Sequence, residues 1–594
     1  LVSSEKVVNI CSMANSRLQK LGNYLRPHWR TVLWGTVALV IVNALGVYIP
    51  LLIRDSIDQL QGEFSFNQLS RTALWLLVLS AIMWTFRMLS RTSIFGVGRQ
   101  VEFDLKQRIF QHLLTIEPGY FSNNTSGDLI NRATSDVDNI RRLVGFAVLS
   151  FINIIFAYAF TLPAMLRIHV RLTILAIAVY PVMLITVQLF SGKLRHYQAE
   201  IQEKLSDLSE LIQEDMSGMA LIRIYAQENQ EREAFKQKNQ KLLEANLKLA
   251  KIRNLLFPII EGISYVSLLI LLWQGTAAIA SGQITVGDFI ALVLFVERLV
   301  FPTALLGFTI TAYQQGEVSI DRVESITKAE PKIKNSSNPI VLPLEDIKGE
   351  ITARHLTYTY PGSHTPALYD VNFNIKPGET VAIVGSIGSG KSTLANAIPR
   401  LLNIPAGELF CDDCDVTKLD LASLRKAIAY VPQDSFLFST TIKNNIRYGE
   451  PLSESTEVEQ VAKQAQIHPE ILTFPQEYET LVGERGITLS GGQRQRTSLA
   501  RALLAEAKVL ILDDALSSVD NETATKILDS LSPTRAKKTV IFISHQLSAA
   551  ATCDRILVMD EGKIVQDGTH EILLQEAGLY KSLWEQHQLK EVLN

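Results

Sequence analysis

Three stretches of this chain, Thr31–Ile53, Leu143–Leu166 and Leu172–Gly192, contain no Asp, Glu, Lys, Arg or His. Few features narrow the choice of fold so far. A helix needs roughly 20 consecutive apolar residues to cross the hydrocarbon core of a bilayer, and each stretch is long enough. Three more candidates are 72–94, 255–281 and 287–315. The first is interrupted by Arg87 and Arg91, the second by Glu261, the third by Asp288, Glu297 and Arg298. Six runs of this kind before residue 316 are too many for buried helices of a water-soluble protein.

Basic residues orient the spans. Lys20, Arg26 and Arg30 precede the first, and the long connections 95–141 and 193–253 are rich in Lys and Arg. The N-terminus and both long connections are therefore expected in the cytoplasm. The outer connections are short, around 55–71, 167–171 and 282–287, with Arg167 and Arg171 a small exception. Val101–Leu114 and Leu194–Gln240 are charged and free of Pro, so the spans are expected to continue into the cytoplasm as helices. Leu18, Leu21 and Leu25 share a helical face, which fits a helix lying on the membrane or an ordinary solvent-facing one. The expected location is the plasma membrane, multi-pass, with lipid as a partner.

Composition agrees. Apolar residues make up 47% of the chain and mean hydropathy is +0.15. The net charge of −3 lacks the basic excess of a nucleic-acid binder, so no such partner is expected. The four cysteines, Cys11, Cys411, Cys414 and Cys553, are too few for a disulfide framework and fit a reducing compartment. Residues 1–30 are mostly polar, unlike a cleavable signal peptide, and Met13 is a candidate start.

The texture changes after about 316. Glu-Pro-Lys-Ile-Lys-Asn-Ser-Ser-Asn-Pro at 330–339 reads as a linker. Beyond it, the β-branched runs Thr380–Val384, Ala427–Val431, Val509–Leu512 and Thr539–Ile543 alternate with helical segments, the rhythm of an α/β domain with a parallel sheet. The expected organisation is an N-terminal segment (1–30), an all-α six-span transmembrane domain (31–316), a linker (317–347), an α/β domain (348–588), whose glycine loop at 385–392 makes it a P-loop ATPase domain, and a tail (589–594).

Inside that domain, Val381–Thr393 reads strand, glycine loop, helix. Gly385, Ser386, Ile387, Gly388, Ser389, Gly390, Lys391 and Ser392 match G-x-x-x-x-G-K-S/T in full. Glycines let backbone N–H groups turn toward phosphate oxygens, and the helix N-terminus adds favourable partial charge. Lys391 is expected at the β/γ-phosphates and Ser392 on Mg2+, with Thr393 following. Val509–Asp513 is an apolar strand ending in a carboxylate, a suitable holder for Mg2+ beside a phosphate. ATP and Mg2+ are thus the expected substrate and cofactor.

Leu489-Ser-Gly-Gly-Gln-Arg-Gln-Arg496 lies just before a helix. With the glycine loop and the aspartate strand, it resembles the ATP-binding cassette (ABC) family. Through that resemblance Tyr360 is expected to stack on adenine and Gln433 to sense Mg2+. Ser490, Gly491, Gly492 and Gln493 are expected on the nucleotide of an opposite subunit, and His545 on the γ-phosphate. Gly483–Gly486 and Ser518–Asp520 look like the family's loops toward the membrane helices and the opposite subunit. The membrane half is similar to the exporters with six spans fused ahead of one ATPase domain. Its Pro118–Phe121, Ser126–Leu129, Arg132 and Asp136–Val137 fall where the first coupling region would be, and Met219–Glu228 where the second would be. The resemblance covers about 20 to 588 and implies a half-transporter needing a second chain.

One position departs from the pattern. Where the family has a glutamate as general base, this chain has Asp514. Aspartate is one methylene shorter, and a misplacement on the order of 1 Å can cost about a hundredfold in rate. Two readings follow: a slow homodimer with Asp514 as base, or the degenerate-site chain of a heterodimer, which we favour. A regulator that binds nucleotide without pumping is the alternative from another class. The cargo is expected to be a hydrophobic or amphipathic drug-like molecule or lipid.

Other features weigh less. Cys411-Asp-Asp-Cys414 supplies two of the four ligands a structural Zn2+ needs and fits a hairpin within Gly407–Val416. Asn123-Asn-Thr-Ser126 matches a glycosylation acceptor but falls in an expected cytoplasmic connection. Glu297 and Arg298 stand at membrane depth, where charges tend to be functional. A packing salt bridge with Arg87 or Glu261 and a contact with cargo both fit them.

Overall fold

A computed structural model describes residues 21–60, 66–519, 521–530 and 538–593. Cys11, Met13, Leu18, Lys20 and Asp520 lie outside the described residues. Two compact units emerge, one of Leu1–Leu114 with Asn124–Ala329, the other of Thr115–Asn123 with Glu330–Asn594.

Among its described residues the first unit has helices and no strand, and six of its segments are long and apolar enough to cross a membrane. The first two are α1 (Trp29–Leu60) and α2 (Phe66–Leu113). After the short α3 (Pro118–Asn123) of the other unit, α4 runs Ser126–Ile168 with π-helical turns at Arg132–Asp136 and Leu143–Ala147. The fourth span is not one helix: α5 (Val170–Ile177) and α6 (Tyr180–Ser217) meet at Ala178–Val179. Pro181, at the start of α6, has no N–H to continue the ladder. A short α7 (Met219–Ile224) leads to α8 (Glu228–Ala280) and α9 (Val286–Thr327).

Several expectations change. Leu194–Gln240 is broken at Gly218 and again at Tyr225–Gln227, which isolates α7. The final span continues eleven residues into the segment read as a linker, because Ser319, Ile320, Val323 and Ile326 bury one helical face as far as Thr327. Asp288 is not a charge at membrane depth. It is the third residue of α9, in a capping box with Thr285, where its carboxylate complements the free N–H groups of the helix start.

That helix start is tied to the far end of α1. Asp58 accepts from Thr285 Oγ1 at 2.7 Å and from the Gly287 amide at 2.9 Å, and Arg54 pairs with Asp288 at 3.0 Å. Gly287 packs against the Arg54 carbonyl so closely that a Cβ there would overlap it.

The second unit holds two sheets. Strands β1 (Ile351–Tyr358), β2 (Leu368–Ile375), β4 (Leu409–Cys411) and β5 (Cys414–Asp415) form an antiparallel sheet in the order β2-β1-β4-β5. The other sheet runs β10-β9-β3-β8-β7-β6, from β3 (Thr380–Gly385), β6 (Ile428–Val431), β7 (Val509–Asp513), β8 (Thr539–Ile543), β9 (Arg555–Asp560) and β10 (Lys563–Gly568). All its neighbours are parallel except β9 and β10. Strands β3, β7 and β8 are buried along their whole length, as apolar runs between covered faces require. Cys411 and Cys414 face each other across the β4–β5 hairpin as free thiols, and burial pushes Cys411 up to about 12. No metal-holding cluster of His, Cys, Asp or Glu occurs among the described residues.

Gly287→Ala is expected to lower stability by about 1–3 kcal/mol, since the neighbouring atom is backbone and cannot step aside. Gly262→Ala in α8 faces open space and should change little. Thermal unfolding of both variants in lipid nanodiscs checks this, and equal melting temperatures would contradict it.

Candidate functional site

In a parallel sheet all carboxyl ends point one way, so loops distant in sequence converge there. Here β3 runs into the glycine loop, β7 ends at Asp513, β8 leads to His545, and β6 leads to Gln433. Together they enclose a cavity of about 350 Å3. Its floor is Gly388, Gly390, Lys391 and Ser392, and its walls include Asp513, Asp514, Gln433 and His545, with Tyr360 at the rim. Ile387, Ser389 and Thr393 also line it.

The glycines are dictated by the turn. Gly385, Gly388 and Gly390 have φ of 152°, 83° and 96°. A Cβ on Gly390 would stand 2.5 Å from the Ala367 carbonyl oxygen, and one on Gly385 would overlap that of Met559. The loop delivers Lys391 to the start of α10 (Lys391–Ala397). Lys391 Nζ donates to the carbonyls of Gly385 at 3.0 Å and Ser386 at 2.8 Å. Burial holds its pKa below the usual lysine range, against the upward pull of Asp514 and Asp513. Ser386 Oγ donates to Asp560 at 3.1 Å, which ties the loop to the end of β9.

Asp513 is buried and doubly bonded. Ser392 Oγ donates to one carboxylate oxygen at 3.0 Å and the Tyr430 hydroxyl to the other at 3.1 Å. Desolvation raises its pKa, with Asp514 adding to the rise, while the Ser392 and Tyr430 bonds and Lys391 oppose it. A serine hydroxyl and a carboxylate 3.0 Å apart at a strand end form a hard-oxygen set that suits Mg2+. Asp514 differs. Its backbone is left-handed, φ 50°, a region aspartate tolerates better than most residues. Its Oδ1 is buried with no hydrogen-bond partner among the described residues. An acceptor left open inside a polar cavity suits a group that must take a proton from water.

Tyr360 bonds through its hydroxyl to Thr393 Oγ1 at 3.2 Å and meets Tyr358 edge-on, so its ring is fixed. The residues Ser490, Gly491, Gly492 and Gln493 do not line this cavity. They form the start of α11 (Gly491–Leu504), where Ser490 caps the helix in a box with Gln493. A Cβ on Gly492 would stand 2.8 Å from the Ser518 carbonyl. One polypeptide thus presents the glycine-loop cleft and the LSGGQ helix start as two separate places.

Two residues escaped the sequence reading. Tyr430 sits opposite Ile511 on the neighbouring strand, and only that register brings its hydroxyl to Asp513 and, at 3.1 Å, to Asn396. A tyrosine in an otherwise apolar buried strand was the available signal. Gln495 bonds Ser517 Oγ at 2.9 Å and accepts from the Ser518 amide at 2.9 Å, joining α11 to the segment after Asp514.

The fold is a six-span helical domain fused to an α/β P-loop ATPase domain. Residues 32–303 match the ABC transporter transmembrane region, and residues 368–517 match the ABC transporter family's ATPase. A probable multidrug resistance ABC transporter ATP-binding/permease protein of Bacillus subtilis, YheI, is 33% identical over 97% of this chain and 98% of its own. The multidrug resistance-like ATP-binding protein MdlA of Escherichia coli is 31% identical over 97% of both. An ATP-dependent lipid A-core flippase of Syntrophus aciditrophicus is 32% identical over 97% of this chain and 94% of its own. The solved structure of a bacterial Atm1-family ABC exporter with ATP bound superposes with a TM-score of 0.77 at 23% identity, over 94% of this chain and 99% of that one. The chain belongs to the ABC transporter family, as a half-transporter with fused membrane and nucleotide-binding domains.

The raised pKa of Asp513 makes a stability prediction. An acid whose folded pKa lies above its unfolded value contributes stability below the unfolded value and loses it as pH rises through the folded one. Asp513→Asn should therefore raise the melting temperature of the nucleotide-free protein at neutral pH by a few degrees. The gain should fade as pH falls toward about 4, where the wild-type carboxyl is protonated. A variant less stable at neutral pH would contradict this account.

Proposed function

We propose that this chain is one half of a dimeric exporter in the plasma membrane, moving a hydrophobic or amphipathic molecule at the expense of ATP. We further propose that it is the chain with the weaker hydrolytic site of a heterodimer. The observation that carries the reading is the cleft itself: Lys391, Ser392 and Asp513 converge on one cavity, and the next residue is a carboxylate one methylene short of the family's glutamate.

The roles follow from chemistry. Tyr360 stacks on the base. Backbone N–H groups of 385–393 and Lys391 hold the phosphates, and Ser392, Asp513 and Gln433 hold Mg2+. When bound, that ion neutralises charge on the β- and γ-phosphate oxygens. Asp514 accepts the proton of the attacking water, and His545 bonds the γ-phosphate. Ser490, Gly491, Gly492 and Gln493 serve the nucleotide held by the other chain, which the separation of the LSGGQ helix from the cleft supports. Names of relatives, multidrug resistance and lipid A-core flippase, support an apolar or amphipathic cargo. A homodimer with Asp514 as a slow base is the second reading, favoured by the open, buried Oδ1.

ATP turnover by the purified chain in lipid, with Asp514→Glu and Asp514→Asn beside it, separates the two. The heterodimer reading expects slow wild-type turnover that Asp514→Glu raises by roughly 10- to 100-fold. Brisk wild-type turnover that Asp514→Asn abolishes would establish the homodimer instead. Asp513→Asn is expected to lose Mg2+-dependent nucleotide binding in either case.

A further inference from the structure

Arg298 is a cation set into the middle of the membrane unit, with no acidic partner among the described residues. It lies twelve residues from the start of α9, roughly 18 Å along the helix and so near the centre of a hydrocarbon core about 30 Å thick. Its Nη2 donates to the Asn43 backbone carbonyl at 3.1 Å and to Asn43 Oδ1 at 3.0 Å. Asn43 is itself braced, its Nδ2 donating to Leu39 O at 2.9 Å and to Asn153 Oδ1 of α4 at 3.2 Å. Gly46, one turn on from Asn43, leaves the space the guanidinium fills, since a Cβ there would overlap it.

These contacts orient the charge without neutralising it. Among the described residues Arg298 forms no ion pair, and its hydrogen bonds come from Nη2 alone. Of the alternatives weighed for it, a salt bridge with Glu261 is not made, for that carboxylate accepts from Tyr265 at 2.8 Å on its own helix. Charges at this depth are costly unless they meet a counter-charge. An anion brought by a ligand lowers that cost.

An apolar cavity of about 510 Å3 opens along the same helix. Phe301 and Leu305 line it, at i+3 and i+7 from Arg298 and so on the same stripe of α9, together with Phe308, Phe146 and Phe257. Arg298 stands one turn before Phe301, outside the lining, and the cation in the wall, Arg142, is already paired with Asp138 at 2.8 Å. Such a cavity takes a drug-sized apolar body. We propose that Arg298, clamped by Asn43, is the headgroup site for an amphipathic anion, a phosphate-, sulfate- or carboxylate-bearing molecule whose apolar part occupies the phenylalanine-lined cavity. The proposal rests on the exporter reading and narrows its cargo to one charge class.

The test is equilibrium binding of radiolabelled dodecyl phosphate to the full chain in nanodiscs of zwitterionic lipid, with dodecyltrimethylammonium as the cationic match. Wild type is expected to bind the phosphate at least tenfold tighter than the ammonium. Arg298→Gln should weaken the phosphate at least tenfold and leave the ammonium within twofold, and Arg298→Lys should fall between. Excess inorganic phosphate should not displace the probe. Equal wild-type affinity for the two amphiphiles overturns the proposal, and that comparison needs no variant. Parallel loss of both ligands in a monodisperse Arg298→Gln protein overturns it too, as does displacement by inorganic phosphate at matching concentration. ATP turnover by the same nanodiscs keeps the two ideas apart. Turnover with no preference for the anion sinks this proposal alone, whereas anion preference with no turnover alone or with a partner chain sinks the exporter reading and leaves the site.

Discussion

Hydrocarbon offers a backbone nothing to hydrogen-bond. Every N–H and C=O at membrane depth must be paired within its own segment, which for this chain means helices, and the form of the first unit follows from that. The departures from regular helix are compact ones. The π-helical turns of α4 and the α5–α6 junction at Pro181 each keep most backbone groups paired. Polar side chains obey the same demand. Asn43, Ser267 and Thr303 turn back to carbonyls of their own or neighbouring helices. Arg298 stands out because its partners are neutral.

The second unit solves a different problem, holding a multiply charged nucleotide in water. Strands β3, β7 and β8 are buried on both faces, so the carboxylates of Asp513 and Asp514 emerge from an apolar strand into a polar cleft. Burial there cuts both ways. It opposes the charge on Lys391 and on Asp513, which makes the cleft by itself less stable than an apolar one would be. The same low-dielectric setting strengthens their interaction with opposite charges brought by a ligand. A site that is poor for stability is thereby good for binding.

Much of this was legible in advance. Apolar runs identified the spans because a bilayer imposes a length, and the glycine loop was readable because backbone approach to phosphate admits no side chain. Reading failed where the deciding partner is remote. Nothing local ends α9 at 316, and its continuation to Thr327 depends on what Val323 and Ile326 pack against. Asp288 looked like a membrane charge until Thr285 and Asp58 supplied its role as a cap. Tyr430 gained significance only from its register against β7.

The sequence by itself determined the class: six membrane helices, a P-loop ATPase domain, and an aspartate where a glutamate is usual. These are local matters of hydropathy, glycine spacing and residue identity, set by atoms within a few residues of each other. Only the tertiary structure decided that Asp513 shares its carboxylate between Ser392 and Tyr430, that the LSGGQ helix starts away from the glycine-loop cleft, and that Arg298 is held by Asn43. Each joins residues far apart in the chain, and no local pattern encodes which distant oxygen a buried donor will meet.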